Sequence, residues 1–98
     1  MKNNTTIAHV VMWNLKNSAD ANHVKLLVES FSHVVPVTIT FQVGIKTEGL
    51  EANADVVLYS VFKDKASLQA YQNHPQHEAI KPQIAALRSG RTVLDYEI

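Results

Sequence analysis

Four segments of the chain carry apolar residues at strand spacing, and the stretches between them repeat at helical spacing. Ile7 to Leu15, IAHVVMWNL, places Ile7, His9, Val11, Trp13 and Leu15 on one face and Ala8, Val10, Met12 and Asn14 on the other, as a period of two requires. Both faces are largely apolar. The following KNSADANHVKLLVESFSHV sets Val24, Leu27, Val28 and Phe31 on one helical stripe, with Asn17 as its cap and Asp20 near the positive helix end. Val37 to Ile45 alternates cleanly, with Val37, Ile39, Phe41, Val43 and Ile45 against Thr38, Thr40, Gln42 and Gly44, which predicts a half-buried strand. KTEGLEANA is a polar loop, and Asp55 to Phe62, apolar on both sides, reads as a central strand.

DKASLQAYQ then predicts a helix capped at Asp64 or slightly earlier, with Leu68 and Tyr71 three positions apart on one side. It stops near His74, because a residue before proline is pushed out of the α region. Pro75 starts a second helix that runs to Arg88, Gly90 terminates it, and Pro82 kinks or divides it. Thr92 to Ile98 is the last strand. The order is strand, helix, strand, strand, helix pair, strand: an α+β, ferredoxin-like βαββαβ domain over residues 1–98, with a four-stranded antiparallel sheet and helices on one face. Two strands are apolar on both faces although helices can cover only one. The uncovered face predicts a partner, and the simplest is a second copy packed sheet to sheet.

Composition narrows the classes. Nine basic and nine acidic residues give zero formal net charge, and no segment clusters Lys and Arg along the chain. The long-range field that draws a protein to nucleic acid or to an anionic membrane is therefore missing, and neither is an expected partner. The absence of cysteine removes disulfides, thiolate metal sites and a cysteine nucleophile together. The first residues, MKNNTTIAHVVMWNLK, lack both a cleavage pattern and the length to span a bilayer. The reading is a soluble, unprocessed protein of the cytoplasm.

The densest chemistry lies in AYQNHPQHEAIKP, Ala70 to Pro82, which holds two of the five histidines and two of the three prolines. A metal is disfavoured there. Pro75 breaks helical continuity just after His74, so His74 and His77 do not share one helix face, and H-x-x-H-E matches no zinc protease order. No metal and no cofactor are expected. Acid–base chemistry has more support, because His77 falls three before Ile80 and seven before Ile84, in phase with the stripe that faces the sheet. Tyr71 approaches from the preceding helix, and His9 shares its strand face with Val11 and Trp13. Histidine titrates near neutrality and tyrosine can polarise a carbonyl, so these groups around one apolar cavity would form a cofactor-free site for proton transfer. The competing reading makes each histidine a packed or capping residue, with His74 a helix boundary.

HVVMWNLK in the first strand, DVVLYSVFKD in the third, AYQNHPQH between the helices and RTVLDYE at the end together resemble the stress-responsive A/B-barrel (Dabb) family, over nearly the whole chain. The resemblance implies a dimeric α+β barrel. Its members include small bacterial dimers of unassigned activity, plant stress-associated and antifungal proteins, and a cofactor-free polyketide cyclase. In the cyclase the tyrosine of this pattern acts at the carbonyl and the second histidine acts as base, which falls here on Tyr71 and His77; a first-strand histidine of its pocket falls on His9. The cyclase has a further pocket histidine where this chain has the apolar run DVVLYS, with Val56 at that position. The cyclase activity itself is therefore not transferred.

The expectation is a homodimer with a pocket between sheet and helices for a small carbonyl-bearing molecule, His77 and Tyr71 as catalytic groups, and His9, Trp13 and His74 as binding groups. The alternative is a non-enzymatic stress-response dimer in which HPQH only breaks and restarts a helix. A metal-stabilised dimer ranks third.

Overall fold

The computed structural model describes residues 5–30, 32 and 38–98. Strand β1 (Ile7–Leu15) leads through a 3-10 turn (Ser18–Asp20) into helix α1 (Ala21–Glu29). Strands β2 (Thr38–Ile45) and β3 (Val56–Phe62) follow, then helices α2 (Lys65–Gln72) and α3 (Pro75–Leu87), and strand β4 (Arg88–Glu97). The strands form one antiparallel sheet in the order β2-β3-β1-β4. This is the ferredoxin-like arrangement that the element order implied. No helix among the described residues is long and apolar enough to cross a membrane.

The core lies between one sheet face and the helices. Ile7, Val11, Trp13 and Leu15 of β1 and Val56, Leu58 and Phe62 of β3 meet Val24 and Val28 of α1, Leu68 and Tyr71 of α2, and Ile80 and Ile84 of α3. These are the alternate strand positions and the i, i+4 helical positions that the pattern marks. Each large aliphatic side chain buried this way stabilises the fold by about 1.5–3 kcal/mol relative to exposure. Phe31, His33, Pro36 and Val37 lie outside the described residues.

Four local expectations are corrected. Asn17 does accept a hydrogen bond, from the Ala19 amide at 3.0 Å, but it caps the 3-10 turn, and α1 itself begins at Ala21. Ile39 does not join the core: the β2–β3 register shifts between Thr38 and Thr40, the alternation slips there, and Ile39 is 62% exposed. Gly90 does not terminate α3. Arg88 is already extended (φ −89°, ψ 149°), so β4 starts where the helix ends, and Gly90 lies within the strand opposite Asn14. Pro82 neither divides nor ends α3, which continues through it to Leu87.

Asp55 closes the loop after β2. Its carboxylate accepts from the buried Leu15 amide at 2.8 Å and pairs with the Lys46 ammonium at 2.8 Å, joining the ends of β1, β2 and β3. Those two partners, the Lys46 contact foremost, hold the carboxyl below its ordinary range. Gly49 in the same loop has φ 93°, a left-handed conformation that a side chain would strain.

Among the described residues no helix covers the opposite sheet face. On it Val10 stands opposite Leu94 and Tyr59, and Met12 opposite Thr92 and Val57. Met12, Leu94 and Tyr96 are 39%, 63% and 44% exposed, which makes an apolar surface of the kind that marks an interaction site.

Candidate functional site

A cavity of about 510 Å³ opens between the helical layer and β1, β3 and β4. That size suits a small organic molecule. Val11, Trp13, Leu58, Ile80 and Ile84 supply apolar walls, and His9, Tyr71 and His77 supply the polar groups.

His9 sits on the central strand β1 and is 2% exposed. Its Cα neighbours are Ser60 on β3 and Asp95 on β4. Asp95 Oδ1 lies 2.5 Å from His9 Nδ1, so the carboxylate accepts from the Nδ1–H and fixes the orientation of the ring. The Ser60 hydroxyl donates to the His9 carbonyl at 2.8 Å, which satisfies a fully buried polar group.

Tyr71, on the last turn of α2, is 2% exposed and stands between the two imidazoles. Its ring centroid is 6.1 Å from that of His9 and 4.8 Å from that of His77, both edge-on. Phe62 and Phe41 complete the packing, with centroids at 5.1 and 6.1 Å. Asp64 sets α2 in place, its carboxylate accepting from the Ser67 amide and hydroxyl at 2.8 Å each. Burial pushes the Tyr71 phenol well above its usual range, opposed by the positive charge of Arg91, so the hydroxyl keeps its proton at neutral pH.

His77 occupies the first turn of α3, half-buried at the cavity. Burial lowers its pKa from the ordinary 6.5, and the nearby Lys81 charge lowers it further. The ring is therefore neutral at pH 7 and able to accept a proton.

The structure thus gathers His9, Trp13, Tyr71 and His77 around one cavity and leaves His74 out of it. His74 is the α3 N-cap: its backbone is extended, and its Nδ1 accepts from the Gln76 amide at 3.1 Å, with Pro75 at the first helical position. That bond commits the His74 Nδ1 to the helix cap, and His74 is not among the residues that line the cavity. Among the described residues no three His, Asp or Glu side chains gather as a metal site.

Sequence reading missed three contributors. The β1–β4 register sets Asp95 opposite His9. Arg88 and Arg91 also line the cavity. Residues three apart on a regular strand face opposite ways, but the ladder shifts between Asn14 and Leu15, so Arg88 pairs with Leu15 and Arg91 with Trp13. Both partners are on the helix-facing side of β1, so the bulge brings the two arginines to one face. A V-x-D-Y-E ending could have flagged Asp95; no local signal marks the bulge.

The sequence matches the profile of the stress responsive A/B barrel domain over residues 7–98. Sequence comparison with curated proteins finds no match. Among solved structures, a dimeric, ferredoxin-like protein of unknown function from Bacteroides fragilis is similar at TM-score 0.80 and 24% identity, covering 95% of this chain and 96% of its own. Another dimeric ferredoxin-like protein, from Thermobifida fusca, is similar at TM-score 0.85 and 17% identity, covering 100% of this chain and 95% of its own. A hydroxynitrile lyase from Passiflora edulis is similar at TM-score 0.77 and 15% identity, with 96% and 94% covered.

Proposed function

Because the chain belongs to the stress responsive A/B barrel (Dabb) family, we propose that it acts as a homodimer whose protomer binds a small carbonyl-bearing molecule in this cavity and moves a proton on it without a cofactor. The observation that carries the reading is the neutral His77 ring 4.8 Å from the protonated Tyr71 ring, beside the apolar walls of the cavity. A hydroxynitrile lyase built on the same fold supports small-molecule chemistry as a use of such a cavity.

The proposed step is removal of a proton from the carbon beside a carbonyl. His77 takes that proton, the C–H electron pair moves to form the enolate, and the Tyr71 hydroxyl donates a hydrogen bond to the oxygen that gains charge. Arg91 contributes a positive field at Tyr71, which favours negative charge there. His9, held by Asp95, presents a fixed polar wall that orients the ligand. The dimer is supported by the bare apolar sheet face and by the dimeric relatives.

The test is exchange of α-protons for deuterium in an aryl ketone probe, followed by NMR in D2O. Wild type should accelerate exchange over buffer, and His77→Ala and Tyr71→Phe should each lose roughly 10²-fold or more, the usual size of one acid–base contribution. Exchange at the buffer rate with wild type, or variants equal to wild type, would sink the reading. In the latter case His77 joins His74 as a structural element and the protein is a non-enzymatic stress-response dimer.

A further inference from the structure

The rim of the cavity differs in kind from its walls. Lys81, Arg88 and Arg91 all line it, three of the nine basic residues in a chain of zero formal net charge. Lys81 pairs with Glu78, Nζ to Oε2 at 3.0 Å. Arg88 and Arg91 form no ion pair among the described residues, and the remaining positions, 1–4, 31 and 33–37, contain no Asp or Glu. Asp95, set opposite the cavity-lining His9, is committed to that imidazole. Two guanidinium groups therefore meet at the cavity with no carboxylate of this chain to neutralise them.

Their convergence is built rather than incidental to the strand. Without the register shift between Asn14 and Leu15, Arg88 and Arg91 would face opposite sides of β4. Like charges brought to one face repel, and an arrangement that does so at the mouth of an apolar cavity is completed by an anion. Planar guanidinium forks match the paired oxygens of a carboxylate.

We propose that the ligand of this cavity is an organic acid, a keto acid whose apolar body and ketone lie against Trp13, Tyr71 and His77 while its carboxylate is held at the rim by Arg88 and Arg91. The inference rests on the reading of the cavity as a carbonyl-ligand site and adds the ligand's charge and orientation. With the carboxylate at β4, the ketone is directed inward to the Tyr71–His77 pair, so the arginines set which carbonyl is presented.

The probes are β-benzoylpropionate, an aryl ketone with a carboxylate, and its methyl ester, which keeps the shape and loses the charge. Calorimetric titration of wild type should give the acid an advantage of about tenfold or more, a difference of ~1.4 kcal/mol per decade, and added NaCl should shrink it. Arg88→Gln and Arg91→Gln should each remove about tenfold from the acid, and Arg88→Gln should leave the ester unchanged. Equal affinity of wild type for acid and ester overturns the inference alone and leaves the carbonyl site standing, as does a parallel loss of both ligands in the variants. Failure of wild type to bind either probe overturns the cavity reading itself. The comparison of acid with ester in wild type decides the matter even where an arginine variant does not fold.

Discussion

His9 Nδ1 and Asp95 Oδ1 meet at 2.5 Å although 86 residues separate them in the chain. The antiparallel β1–β4 ladder sets the two residues opposite each other, and the helical layer then covers the imidazole while the Asp95 side chain stays 38% exposed. A buried ring nitrogen and its carboxylate partner are thus fixed by backbone pairing. Asp95→Ala should lower stability by about 1–3 kcal/mol, the range for stranding a buried polar group. Asp95→Asn, which keeps an acceptor oxygen, should recover most of that. Urea denaturation of both variants, with imidazole nitrogen shifts to follow the His9 tautomer, gives the comparison.

His77 sets a pH dependence of definite sign. Its pKa is lowered in the fold from the ordinary 6.5, so between the folded value and 6.5 the unfolded chain binds more protons than the native protein. Its contribution to stability is complete above 6.5 and fades as pH falls toward the folded value. Ketone proton exchange should follow the same ring: flat above pH 6.5 and declining in acid with a midpoint below it. A midpoint above that value would assign the titration to another group.

Asp55 acts at the other end of the pH scale. Its lowered pKa means that its support of the fold is present above 3.8 and is lost as pH falls through the lower folded value. Asp55→Ala leaves the buried Leu15 amide without its acceptor and should cost about 1–3 kcal/mol at neutral pH. The gap between wild type and variant in urea midpoints should narrow below pH 3.8.

Leu94 stands 63% exposed on the bare sheet face, beside Val10. Placing a charge there by Leu94→Lys should convert a sheet-to-sheet dimer to monomer without disturbing the core on the other face. Light scattering after size exclusion reads the mass directly. A wild type that is monomeric, or a variant that stays dimeric, would move the interface elsewhere.

The parts of this architecture that depend on neighbours in sequence were legible from it. The alternation in IAHVVMWNL identified Ile7, Val11, Trp13 and Leu15 as core, and Pro75 located the boundary between α2 and α3 because proline acts on the residue beside it. Phase with Ile80 and Ile84 likewise carried His77 to the cavity. What escaped depends on pairing between distant strands. Asp95 gains its meaning from register with β1, the two arginines gain theirs from a one-residue slip in that register, and Ile39 loses its core place through a slip on the other side of the sheet. Local periodicity has no access to such slips.

The site is assembled from layers of unequal stiffness. His9 rides on β1, hydrogen-bonded to strands on both sides, whereas Tyr71 belongs to a helix of eight residues and His77 to a continuous helix that contains Pro82, whose ring removes a backbone donor from the ladder. Local opening events select segments with the fewest backbone anchors. Opening of α2 or α3 would part Tyr71 and His77 from an imidazole held within the sheet, so the amides of these two helices should exchange with solvent faster than those of β1.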